Sequence, residues 1–302
     1  MKAHLIKVYI LFLFQFVYIN YSCSQPTLYG IRNYRNLFEL IRIDCATDSL
    51  TVLGNIPLNY YGSTFSSSFN YDSLRYIYCT GLEIFIFDAN NFSIIDSSSF
   101  SSIYPNHFNN IVYNPKDGYV YGILQNIIDL HSQFAKYDLS SKSFVDTLSV
   151  PLNFEIGATC VSLIDTATNR YIIQSNKLTA FDLSTFQLAY NSPLIVNNAH
   201  DSFTHMAINN DNGKLYGLYN DNHANTQVLC QINDTTGQYA MIGAPLSVVS
   251  SKSYLCGSVI DVISNEFYFA TTDGSLIGVD ITTGSLTYSY KYSDLYQLLF
   301  LR

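Results

Sequence analysis

Residues 215–237 read LYGLYNDNHANTQVLCQINDTTG. Leu215 to Tyr219 is a β-forming run, Asp221 to Asn225 is a polar turn, and Gln227 to Ile232 is a second β-run that ends on Asn233. In Asn233-Asp234-Thr235-Thr236-Gly237 the first side chain can accept backbone hydrogen bonds and the glycine can relieve backbone strain. Asp280-Ile281-Thr282-Thr283-Gly284 repeats this turn, and Ile43-Asp44-Cys45, Phe87-Asp88-Ala89, Tyr137-Asp138-Leu139 and Phe181-Asp182-Leu183 are looser copies. The six anchors lie 44, 50, 44, 51 and 47 residues apart. Four short strands with their turns need that length, which is the period of propeller blades.

A second layer supports the first. The strand before each anchor carries Tyr29, Tyr78, Tyr121, Ile173, Tyr216 and Tyr268, and only the odd copies continue with glycine, at Gly30, Gly122 and Gly217. The alternation suggests duplication of a blade pair. The first β-run, Thr27 to Ile31, reads as a second strand without a first, and the chain closes on the apolar run Leu295 to Leu301. The expectation is an all-β, six-bladed β-propeller with four-stranded antiparallel blades over residues 25–302, its ring closed by the C-terminal strand pairing into the first blade.

Composition agrees. Charged residues make up only 13% of the chain while aromatics reach 15%, with 26 Tyr and 20 Phe; helical surfaces carry more Glu, Lys and Arg. Residues 1–24 read as a signal peptide: Lys2 and Lys7, an apolar run from Val8 to Ile19, then small residues at Ser22 and Ser24. The protein is therefore expected to be secreted, periplasmic or at the cell surface, the alternative being a lipoprotein anchored at Cys23. Loss of Lys2 and Lys7 takes the formal charge from −8 to −10. An acidic chain without a basic run argues against nucleic acid. The five cysteines after residue 24 are odd in number and widely spaced, with no C-x-x-C, so most read as buried small residues, one or two disulfides being the alternative in an oxidising compartment.

The Leu-Tyr-Gly…Leu…Ile-Asp…Thr-Gly pattern at 28–54 and 215–237 resembles the repeats of secreted six- and seven-bladed propellers of the YVTN and NHL-like superfamily. That resemblance covers nearly the whole chain after residue 24 and describes blades, not chemistry. Six-bladed lactonase-type propellers place Glu, Asn and Asp around a calcium ion. No such set is matched here residue by residue, although Asp72, Asn114 and Asp165 are loosely available.

Function is sought on the face where second-to-third loops and inter-blade connectors emerge, because long loops on a rigid scaffold carry binding groups. That face is expected to gather Arg32, Tyr34, Arg35, Tyr60, Tyr61, Tyr104, His107, His131, His200, Asp201, Asp221 and His223, with tyrosine and arginine as contact residues. A protein, peptide or glycan is the expected partner; no cofactor, metal or catalytic residue is assigned. His200, Asp201, His205 and His107 carry metal-binding chemistry but no established spacing, and Asn209 to Gly213 reads as a hairpin turn because the Glu that closes a calcium loop is missing. The alternatives are a calcium-dependent propeller hydrolase and a purely structural surface protein.

Overall fold

The structure, a computed structural model, describes residues 25–34, 37–56, 66–70, 72–100, 106–126, 128, 131–150, 161–174, 177–198, 201–246, 257–271, 273–292 and 298–301. Twenty-four strands and no helix occur among them. Blade 1 holds β1 (Thr27–Tyr34), β2 (Leu37–Asp44) and β3 (Ser49–Asn55). Blade 2 holds β4 (Ser66–Asn70), β5 (Arg75–Cys79), β6 (Glu83–Asp88) and β7 (Ile94–Ser99); blade 3 holds β8 (Asn106–Tyr113), β9 (Val120–Asn126), β10 (Ser132–Asp138) and β11 (Ser143–Ser149). Blade 4 runs through β12 (Val161–Asp165), β13 (Arg170–Gln174), β14 (Lys177–Asp182) and β15 (Gln187–Pro193). Blade 5 comprises β16 (Ser202–Asn209), β17 (Lys214–Asp221), β18 (Thr226–Ile232) and β19 (Tyr239–Leu246). Blade 6 comprises β20 (Ser258–Asp261), β21 (Glu266–Ala270), β22 (Ser275–Asp280) and β23 (Leu286–Lys291), and β24 (Leu298–Leu301) follows.

Each blade is one four-stranded antiparallel sheet, and blade 1 has the order β24-β1-β2-β3. The last strand supplies the missing first strand, as the termini predict. Six apolar clusters fill the six interfaces between neighbouring blades, including the one where Leu28 and Ile41 of blade 1 meet Tyr268 and Leu276 of blade 6. The ring is thus closed by packing as well as by strand pairing, and the edges that remain are the outermost strands of the blades. Cys45, Cys79 and Cys230 are buried free thiols in this core, each pushed up to about 12 by burial.

Eleven hairpin turns share one construction. The first residue is Asp or Asn, and its side-chain oxygen accepts the backbone N–H two residues on, as in Asp44 to Ala46, Asn209 to Asp211 and Asp280 to Thr282. The fifth residue has a left-handed backbone: Gly118, Gly213, Gly237 and Gly284 in four turns, and Asp48, Leu74, Phe92, Lys142, Asn169, Phe186 and Asn265 in the other seven. Since β-strands alternate in direction, these first-to-second and third-to-fourth turns all lie at one end of the axis, called here the turn end.

The alternation of blades has a backbone cause. In blades 3 and 5 the innermost ladder breaks register, between Asn109 and Val112 and between Thr204 and Ala207, with Asn110 and His205 left-handed at the break. Gly122 and Gly217 lie opposite these bulges; a Cβ on Gly122 would stand 2.8 Å from the Asn109 carbonyl oxygen. Blade 1 has a break in the matching ladder, between Ile31 and Arg32. Blades 2, 4 and 6 have regular inner ladders, and the residues in the glycine's place are Tyr78, Ile173 and Phe269, paired with the small, buried Ser67, Ser162 and Ser258. The register therefore moves Tyr78 and Ile173 one position from the sequence alignment, to match Gly122 and Gly217 and not Tyr121 and Tyr216. Bulge with glycine and serine with a large residue are two solutions to one volume constraint.

Candidate functional site

The opposite, loop end of the axis holds those residues singled out by the sequence that are described: Arg32, Tyr34, His107, His131, Asp201, Asp221 and His223. Arg35, Tyr60, Tyr61, Tyr104 and His200 lie outside the described residues, and Tyr34 ends β1. Arg32 is buried and donates from Nε to Glu39 at 2.6 Å, its direct cross-strand neighbour. A guanidinium in such a pair holds blade 1 together and has little surface left for a ligand. Asp201 is also buried: it accepts from the Tyr219 hydroxyl at 2.5 Å, from the Asn198 backbone and side chain, and from the Asn222 backbone. The Tyr219 hydrogen bond, with the others, holds its carboxyl below the usual range, while burial and then Asp201 push the Tyr219 phenol up. Arg32 and Tyr219 stand at the same ladder position of blades 1 and 5, opposite Glu39 and Val228.

The remaining sequence-selected residues are dispersed. Asp221 caps the turn that carries exposed His223, accepting its N–H and that of Ala224. His131 is half-buried before β10, and His107 is half-buried against Gly81 of blade 2, where burial lowers its basicity. His205 is fully buried: its ring lies 5.4 Å from Phe269, Nε2 is 3.2 Å from the Ala270 carbonyl, and burial pushes it down to about 4. Among the described residues no three His, Cys, Asp or Glu side chains gather as metal ligands.

The turn end, by contrast, opens into a cavity of about 450 Å³ on the axis. Its walls come from the last residues of the innermost strands: Ser68 and Phe69 of β4, Val112 and Tyr113 of β8, Leu163 and Ile164 of β12, Ala207 and Ile208 of β16, Ser258 to Asp261 of β20. Pro26 to Leu28 complete the circle, and Val262 and Ile263 extend the wall into the rim. Each inner strand ends on apolar residues just before its Asx turn. They converge because the innermost strands meet neighbour to neighbour around the axis: β4 with β8, β8 with β12, β12 with β16, β16 with β20.

The serine hydroxyls in this wall are already engaged. The Ser68 hydroxyl accepts the Tyr113 N–H at 2.8 Å, and Ser258 donates to the Met206 carbonyl at 2.9 Å. At the rim the Asn210 side-chain oxygen accepts both the backbone N–H and the hydroxyl of Thr166 at 3.1 Å, and the Lys116 ammonium donates to the Thr166 carbonyl. Three neighbouring blades are thereby tied together at the mouth. What the wall offers is hydrocarbon, and the volume falls in the range of small-ligand sites. The sequence contains a signal for this site, the apolar pairs preceding Asp165, Asn209 and Asp261, but a single strand gives no hint that they circle a void.

The fold defines a class, the six-bladed β-propellers. The chain belongs to the family described as a repeat of unknown function (DUF6923), whose family model matches residues 86–291. No curated protein matches the chain. Among solved structures it is similar to a chain of the nidogen/laminin complex, with a TM-score of 0.63, 8% identity, and coverage of 91% of this chain and 97% of that one. It is also similar to hydrazine synthase of Kuenenia stuttgartiensis, with a TM-score of 0.55, 12% identity and coverage of 84% and 76%. A putative 6-phosphogluconolactonase from Bacteroides fragilis NCTC 9343 has a TM-score of 0.54, 12% identity and coverage of 93% and 99%. At such identities the likeness concerns the fold.

Proposed function

We propose that this protein is a secreted, non-catalytic binding scaffold that receives an apolar group of its partner in the axial cavity at the turn end. The observation that carries this reading is a wall of mainly apolar side chains whose serine hydroxyls are engaged within the protein. A guest that brings its own polar atoms gains nothing from such a wall; one that brings hydrocarbon gains roughly 25 cal/mol per Å² removed from water. The signal-like leader supports secretion, the repeat pattern supports a place near the YVTN and NHL-like propellers, and the likeness to a chain of the nidogen/laminin complex supports a protein partner. The loop-rich end, with Asp221 and His223, is read as a secondary contact surface.

Titration calorimetry with decyl maltoside, an uncharged amphiphile with one apolar chain, tests the cavity. Saturable binding below the micelle concentration is expected, and it should disappear in Ile208→Phe/Val259→Phe, which narrows the cavity from two half-buried wall positions. Undiminished binding by the double variant places the apolar site elsewhere.

A further inference from the structure

The turn end is also where the charge sits. The eleven Asx turns cover residues 44–49, 70–75, 88–93, 114–119, 138–143, 165–170, 182–187, 209–214, 233–238, 261–266 and 280–285, and within them lie thirteen acidic residues and five basic ones. More than half of the chain's 23 acids are therefore on this one face. Capping a turn uses a carboxylate oxygen as an acceptor but leaves its charge in place, and a surface of one sign raises the local concentration and on-rate of the opposite sign.

The distribution across the face matters more than the total. The first-to-second turns, which rim the cavity, hold six acids against four bases, Arg75, Lys116, Arg170 and Lys214, of which Arg170 reaches outward to Asp234 in the third-to-fourth turn of blade 5 at 3.7 Å. The third-to-fourth turns, one strand pair further out, hold seven acids and one base, Lys142, which is itself paired with Asp96 at 2.6 Å. The surplus negative charge thus forms an outer ring around a nearly neutral, apolar centre.

From this we infer that the ligand of the axial cavity is a polypeptide segment in which one large apolar side chain is flanked on both sides by lysines or arginines. The inference rests on the reading of the cavity given above. Neighbouring strands stand about 4.8 Å apart, so the two strands between rim and outer ring place the ring roughly 10 Å beyond the mouth. A single ammonium group attached to a buried tail stays at the mouth, among the four bases. An extended chain advances about 3.3 Å per residue, so basic residues three or four positions from the buried side chain reach the outer acids. Electrostatic complementarity of this kind fixes the register and speeds the encounter, while the buried side chain supplies the affinity.

Two short synthetic peptides with a central phenylalanine test this, one flanked by lysines and one by glutamates, alongside the lysine peptide with alanine at its centre. The phenylalanine–lysine peptide should bind, with affinity falling about tenfold as salt rises from about 0.05 to 0.5 M and the screening length shrinks; the other two should bind at least tenfold more weakly. Asp88→Asn/Asp182→Asn/Asp280→Asn keeps the capping oxygens, as Asn233 does naturally in blade 5, and so leaves the fold intact. It should weaken the lysine peptide several-fold, flatten its salt dependence and leave decyl maltoside binding unchanged. Equal affinity for lysine and glutamate peptides, or for phenylalanine and alanine centres, overturns the inference. If decyl maltoside binds but no peptide does, the inference falls and the cavity reading survives; if neither binds, both fall.

Discussion

At the loop end of the axis Arg32 meets Glu39 and Asp201 meets Tyr219, Asn198 and Asn222; at the turn end Phe69, Ile164, Ile208 and Val259 meet an open space. The first set has the residue types that contact surfaces favour, yet the fold has spent them on its own blades. Burying a charge is costly unless it is paired, so a buried arginine in a propeller rim reports first on the stability of that rim. The second set has residue types usually read as core, and each of them packs into an inter-blade cluster while also lining the axial cavity. In this protein the apolar residues around the cavity, not the polar ones of the loop end, mark the candidate site.

The difference between the ends can be broken in order of size. Glu39→Ala leaves the Arg32 guanidinium buried without its carboxylate, and the expected loss is about 3–5 kcal/mol in chemical denaturation. A loss below 1 kcal/mol would mean that the pair is solvated and Arg32 available to a ligand.

His205 gives a pH-dependent variant of the same test. Its folded-state value near 4 lies below the ordinary 6.5 because burial against Phe269 disfavours the cation. Above pH 6.5 neither state binds the proton and nothing changes; below it the unfolded chain takes the proton first. Stability therefore falls as pH drops from 6.5 towards 4, by up to about 3 kcal/mol. His205→Asn, which suits the left-handed backbone as Asn110 does in blade 3, should remove that part of the slope. An unchanged slope in urea melts at pH 7 and pH 4.5 would show that His205 is not the source.

Smaller effects belong to the turn end. Leu74 is left-handed and half exposed at a position where four sister turns have glycine, so Leu74→Gly should raise stability by up to about 1 kcal/mol, the left-handed penalty less the entropy of glycine. Ile263 is 78% exposed on the cavity rim. Ile263→Ser should change stability by less than about 0.5 kcal/mol while weakening decyl maltoside; a large stability loss with intact binding would reverse the assignment of this rim.

Blade number, strand count and closure were legible in the sequence because each has a local signature repeated six times. An Asx side chain must start each turn, and the closing strand is the apolar run that ends the sequence, Leu298 to Leu301. The odd-blade glycines were legible as a pattern, but their cause was not: Gly122 answers a bulge at Asn109 to Val112 that only the ladder reveals. At Arg32 and Asp201 the residue types were legible but their partners were not, since nothing in a single strand shows that Glu39 will stand opposite the one or that the Tyr219 hydroxyl will reach the other. The cavity was illegible for the same reason, being made of residues from five inner strands and the start of β1.

The chain contains no tryptophan, so Ile263→Trp places a single indole at the mouth of the axial cavity. Its emission, titrated with decyl maltoside, should shift to shorter wavelength and saturate, and Ile208→Phe/Val259→Phe in the same background should abolish the shift. An emission maximum that stays at the water-exposed position throughout the titration, or a shift that survives the two phenylalanines, would contradict a binding site on the axis.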